Sequence, residues 1–76
     1  MTTNVIHSNP EILSGMPVFR GTRVPIKNLF DYLESSDTIE NFLIDFPTVK
    51  REQVIEVIEF AEHLVTSKEV LHENPA

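Results

Sequence analysis

The stretch Gly15-Met16-Pro17-Val18-Phe19-Arg20-Gly21-Thr22-Arg23-Val24-Pro25-Ile26 most constrains what this chain can fold into. Twelve positions hold both glycines, two of the five prolines and two of the six basic residues. Proline fixes φ and removes an N–H, and glycine supplies positive φ, so no long helix runs through this segment. It reads as a sharply turned scaffold that presents arginines. Val18-Phe19-Arg20 and Arg23-Val24 flank Gly21-Thr22, which predicts a small β-hairpin over 18–24. Val5-Ile6-His7 is a candidate third strand. Asn9-Pro10 is a turn signal, and a single turn is expected over Glu11-Ile12-Leu13.

The remainder carries helical periodicity. Pro25 suits the start of a helix. Ile26, Leu29, Phe30 and Leu33 follow at the spacing of one helical face, and Ser35-Ser36-Asp37 stops it. Thr38 is an N-cap candidate for a second helix, with Glu40 in its first turn. Ile39, Phe42, Leu43 and Phe46 repeat the spacing, and Pro47 ends it. A third helix is expected from about Lys50 to Val65. Its apolar positions span roughly 220°, wider than the stripe one core requires. Val57, Phe60 and Leu64 supply that surplus width and are the candidate oligomer or partner interface. Enclosure of this helix by the rest of a small protein explains the width equally well.

The expected architecture is mainly α: a trihelical, helix-turn-helix-like bundle with an N-terminal β-hairpin or three-stranded element. One domain is expected over residues 1–65, with a β element at 5–24, helices at about 25–35, 38–46 and 50–65, and a tail at 66–76. Seventy-six residues bury only about 60% of their unfolded surface, so the core is marginal. The chain has no cysteine, which removes disulfides and thiolate metal sites as supplements. A homodimer, a higher oligomer or a partner is the expected supplement. No apolar run reaches the ~20 residues of a membrane span. Met1-Thr2-Thr3-Asn4 lacks the basic and apolar regions of a signal peptide. A soluble, cytoplasmic protein away from membranes is the expectation.

Charge is unevenly placed. Residues 1–30 are net +2 and residues 31–76 net −8, in a chain of net −6. Two faces for different partners follow naturally. The third helix carries Glu52, Glu56, Glu59 and Glu62 against Arg51, and exposed carboxylates there repel phosphate. Nucleic acid would therefore meet Arg20, Arg23 and Lys27, in a dimer that doubles the patch. No catalytic constellation is present, and the scattered His7, His63 and His72 lack metal-ligand spacing. His7 reads as a packed or hydrogen-bonded strand residue and His63 as an exposed one. No enzyme, cofactor or metal is expected. Gly21-Thr22-Arg23 is a weak anion-cradle signal, and a plain turn with a solvent-facing arginine is the simpler reading. Alternatively, Arg23 pairs inward with Asp45 or Glu40.

The chain resembles the bacterial domain-of-unknown-function family numbered 433, from about Val5 to Leu64. The resemblance rests on Asn9-Pro10-Glu11-Ile12, the twelve-residue segment above, Thr38-Ile39-Glu40 and Asp45-Phe46-Pro47. It implies a homeodomain-like or winged-helix-like trihelical fold. It further implies a VapB-type antitoxin that binds and inhibits a PIN-like ribonuclease toxin and, as a complex, represses its own operon. The competing expectation is a homodimeric helix-turn-helix DNA-binding transcriptional regulator acting on operator DNA. Arg20, Gly21, Thr22, Arg23 and Lys27 are the expected partner- or nucleic-acid-binding residues. The chain departs from the family pattern at Ser36, where glycine usually closes the first helix, and at Lys50, where Thr or Ser usually caps the third. Both departures predict weaker caps.

Overall fold

The computed structural model describes residues 4–67. Two short strands, β1 (Ile6–His7) and β2 (Val18–Phe19), precede three helices, α1 (Ile26–Glu34), α2 (Ile39–Asp45) and α3 (Arg51–Val65). The fold is a small helical bundle carrying a two-stranded antiparallel sheet, in register Ile6↔Phe19 and His7↔Val18. The tail beyond Ser67 lies outside the described residues.

The sheet is arranged differently from the expected hairpin. The ladder joins β2 to the N-terminal strand, and the arm after Gly21 contributes one bridge, Val18↔Pro25. Phe19 N–H donates to Val24 O and Ile26 N–H to Pro17 O, each at 3.0 Å. These bonds flank the bridge and leave Pro25 where no N–H is needed. The arm passes directly into α1, with Pro25 as its N-cap, so it never lengthens into a strand.

The expected turn at Asn9-Pro10 forms, with Ile12 N–H donating to Asn9 O at 2.8 Å, and a second, left-handed turn follows it. Leu13, Ser14 and Gly15 hold φ values of +50°, +58° and +88°. Three consecutive left-handed residues are costly, at roughly 1–2 kcal/mol for each residue with a Cβ. Ser8 Oγ donates to Gly15 O, and Gly15 N–H and Met16 N–H donate to Ile12 O and Leu13 O. These bonds hold the turn.

Helix termini follow from local chemistry. At the end of α1, Asp37 N–H reaches Tyr32 O at 2.9 Å and Ser36 N–H reaches Leu33 O at 3.1 Å. That pair is a Schellman closure. Ser36 supplies its left-handed residue, with φ +66°. The left-handed cap thus forms without glycine. Asp37 Oδ1 accepts from Thr38 N–H and from Asn41 Nδ2, and these bonds hold its carboxyl below the usual range, the Asn41 bond most. Thr38 Oγ1 accepts from Asn41 N–H at 3.0 Å and caps α2. Lys50, the N-cap of α3, has no side-chain acceptor. Gln53 Oε1 compensates in part by accepting from Lys50 N–H at 3.0 Å.

The core gathers around Phe42. Phe19, Leu29, Phe42, Val49, Val54 and Val57 form one buried cluster. The Phe42 ring lies 5.9 Å from Phe19, 5.3 Å from Tyr32 and 5.0 Å from Phe46. Val49 brings the α2–α3 connection into this cluster and so pins that turn. Tyr32 OH donates to Asp45 Oδ2 at 2.5 Å, which ties α1 to the end of α2. Arg51 pairs with Glu40 at 2.8 Å across α2 and α3.

The three apolar residues expected at an interface separate. Val57 is 2% exposed and belongs to the core, because the first half of α3 crosses Phe42 and Leu29. The second half passes beyond that cluster. Phe60 is half-buried, and Leu64 and Val65 are 47% and 62% exposed.

Candidate functional site

The four residues Arg20–Arg23 form the loop between Phe19 and Val24. Thr22 N–H donates to Phe19 O at 2.9 Å, and Gly21 has φ +83°. That combination is a type II turn, which requires glycine at its third position. Thr22 Oγ1 donates to Phe19 O at 2.8 Å and accepts from Val24 N–H at 3.0 Å. The threonine hydroxyl is therefore committed to the loop itself.

The expected cationic trio is divided by the structure. Arg20 Nε donates to Asn4 O, and its Nη2 reaches Ile6 O at 3.4 Å. Its N–H donates to Val5 O at 2.7 Å. Its carbonyl accepts from Gln53 Nε2 at 3.0 Å. Arg20 thus fastens the N-terminal strand and α3 to the loop, yet no carboxylate among the described residues pairs with it. Lys27 pairs with Asp31 at 2.8 Å along α1. This hydrogen bond, with the carboxylate's charge, raises the Lys27 pKa. Lys27 stands outside the loop's cleft and offers a neutralised charge. Arg23 is exposed and has no hydrogen bond or ion pair among the described residues. Its two suggested inward partners are engaged elsewhere: Glu40 by Arg51 and Asp45 by Tyr32.

A cleft of about 740 Å³ opens at this loop. All four loop residues line it, joined by His7 from β1 and Thr48 from the α2–α3 connection, with Ile12 and Val24 as apolar walls. No carboxylate of the described residues lines it. In a chain of net −6 this is a local positive concavity that suits an anionic partner. Space above Gly21 is open: a Cβ built there would meet nothing within 4 Å.

Sequence reasoning missed four participants. His7 was read as packed, and Ile12 as part of a plain turn. Thr48 carries no local signal. Gln53 was detectable, because Gln at the third helical position is the capping-box residue even without Ser or Thr at the cap. Among the described residues no group of three His, Asp or Glu side chains is placed to hold a metal. No helix among them is long and apolar enough to cross a membrane.

The sheet, the three helices and the arginine loop define a small helical domain with a cationic cleft. Residues 6–61 match the family model described as "Protein of unknown function (DUF433)", and the chain belongs to that family. It is similar to "Uncharacterized protein y4eO" of Sinorhizobium fredii (strain NBRC 101917 / NGR234), with 34% identity over 50 residues. That alignment covers 66% of this chain and 23% of the relative, so the matched segment spans less than a quarter of that protein. No solved structure matches the chain.

Proposed function

We propose that this chain is a cytoplasmic, VapB-type antitoxin that binds and inhibits a PIN-like ribonuclease. One observation carries the reading: among the described residues Arg23 has no partner and no carboxylate lines its cleft, on an otherwise acidic chain. A PIN-type active site is a cluster of carboxylates around divalent metal. A guanidinium inserted there pairs with those carboxylates bidentately and competes with the cation. Phe60 and Leu64, at the free end of α3, supply apolar contact to the same partner or to a second copy.

The competing reading is a homodimeric DNA-binding regulator with α2 and α3 as a helix-turn-helix or winged-helix unit. Glu52, Glu56, Glu59 and Glu62 are all exposed on α3, so a groove-reading role for that helix meets phosphate repulsion. We rank it second for that reason.

The test is co-expression with the protein encoded by the neighbouring reading frame. Co-purification and relief of that protein's toxicity, both lost in Arg23→Ala, are expected. A chain that neither co-purifies nor protects cells, yet binds its own promoter with steep salt dependence, reverses the ranking.

A further inference from the structure

The geometry points to the cleft as a docking site for a short acidic peptide segment with an adjoining apolar side chain, read jointly by the Arg23 loop and the left-handed turn at Leu13. This rests on the protein-binding reading above and specifies what the cleft recognises.

Charge complementarity sets the first half. Among the described residues the Arg23 guanidinium has no partner, Arg20 and His7 line the same cleft, and no acidic residue lines it. The backbone N–H groups of Gly21 and Arg23 make no hydrogen bond within the described chain. Two such N–H groups, on either side of Thr22 and beside an arginine, can receive a carboxylate. The open space over Gly21 lets a ligand backbone approach them.

The second half comes from the strained segment. Ile12 walls the cleft. The next residue, Leu13, is held at φ +50° with 46% of its surface exposed. A leucine in a left-handed conformation, with nearly half its side chain in water, gains little from the fold for the strain it bears. Strain of this kind gathers at ligand contacts. Leu13 is not itself among the lining residues, but it directly follows Ile12, which is, and an exposed leucine there fits an apolar neighbour of that carboxylate. The apolar wall also favours a peptide over nucleic acid. A polyanion meets far more repulsion from a chain of net −6 than a single carboxylate does.

The test uses the full chain, labelled with nitrogen-15, and the peptide acetyl-Asp-Asp-Leu-Ile-amide as probe. The Gly21 and Arg23 amide resonances are expected to shift saturably with this peptide and to stay still with its asparagine analogue. Arg23→Ala should abolish the response. Leu13→Asn is the deciding variant, because asparagine tolerates the left-handed conformation and removes the apolar side chain. It is expected to weaken peptide binding about fivefold, the loss of roughly one modest apolar contact, while the melting temperature holds or rises. Three results overturn the inference: no saturable shift with the acidic peptide, equal shifts with inorganic phosphate, or unchanged affinity in Leu13→Asn. Peptide binding without nuclease co-purification would sink the antitoxin reading and leave this inference standing.

Discussion

Gln53 joins the arginine loop to α3: its Nε2 donates to the Arg20 carbonyl at 3.0 Å while its Oε1 accepts from Lys50 N–H at 3.0 Å. One amide thus caps a helix that lacks a capping side chain and holds the loop that carries Arg23. Gln53→Ala should lower stability by about 1–2 kcal/mol, the loss of two modest hydrogen bonds. Gln53→Glu separates the two roles. A glutamate retains the acceptor for Lys50 but cannot donate to Arg20. Amide exchange at Thr22 and Val24, the loop amides that are hydrogen-bonded, should then quicken in both variants, while the α3 amides stay protected in Gln53→Glu.

Ser36 occupies the left-handed position of a complete Schellman closure. Ser36→Gly removes the Cβ penalty and adds chain entropy to the unfolded state. The first effect is the larger, so a net gain of about 0.5–1 kcal/mol is expected, or roughly 2–8 °C in a thermal melt of a domain this size. A lower melting temperature would show that Ser36 contributes more than its backbone geometry.

Much of the helical layer was legible in the sequence, because the repeated 0, 3, 4, 7 spacing places Leu29 and Phe42 on faces that can only go inward. Thr38 was legible as a cap for the same local reason. The sheet was less so. Two-residue strands carry little periodicity, and the pairing of Ile6 with Phe19 spans a separation that no local signal encodes. The left-handed turn at Leu13–Gly15 contradicts leucine's own preference, so sequence pattern points away from it. At the site, Arg20 and Arg23 look alike as sequence. They differ through Asn4, Val5, Ile6 and Gln53, which tertiary structure brings to one of them.

Tyr32 gives an alkaline signature. The hydrogen bond to Asp45, aided by desolvation and the carboxylate's charge, pushes its pKa up from 10.0 to about 12. A raised folded-state value favours the protonated phenol. Its contribution to stability is complete below pH 10 and is lost as pH climbs from 10 towards 12. Tyr32→Phe keeps the ring against Phe42 and Phe46 and removes the titrating group. The variant should be less stable than the parent at neutral pH, and the gap should close above pH 10 in denaturant titrations.

The α3 residues divide into core and overhang, and two substitutions separate them. Val57→Ala should cost about 2 kcal/mol, since two methyl groups leave a packed cluster. Leu64→Ser should change monomer stability by less than about 0.5 kcal/mol, because the side chain is nearly half exposed. If the free end of α3 pairs with a second copy, Leu64→Ser lowers the apparent mass in sedimentation and removes any dependence of the melting temperature on concentration. A parent chain that sediments as a monomer at every concentration assigns the overhang to a different partner.

The two arginines of the loop should fail in opposite ways. Arg20→Ala frees the carbonyls of Asn4 and Ile6 and loosens the N-terminal strand over Phe19. Charge-assisted bonds of this kind are worth more than neutral ones, although exposure to solvent reduces their value. A loss of about 1–2 kcal/mol is expected, with faster amide exchange along β1 and β2. Arg23→Ala removes no hydrogen bond or ion pair among the described residues, so its melt should overlay the parent's within about 0.5 kcal/mol. Partner binding should nevertheless fall in Arg23→Ala by tenfold or more, about 1.4 kcal/mol, because the unpaired guanidinium is the cleft's free charge. Arg23→Lys keeps the charge but not the bidentate fork, and should recover only part of the loss. The pattern that defeats this assignment is also specific: a destabilised Arg23→Ala protein with undiminished binding would make Arg23 a structural residue and Arg20 the contact.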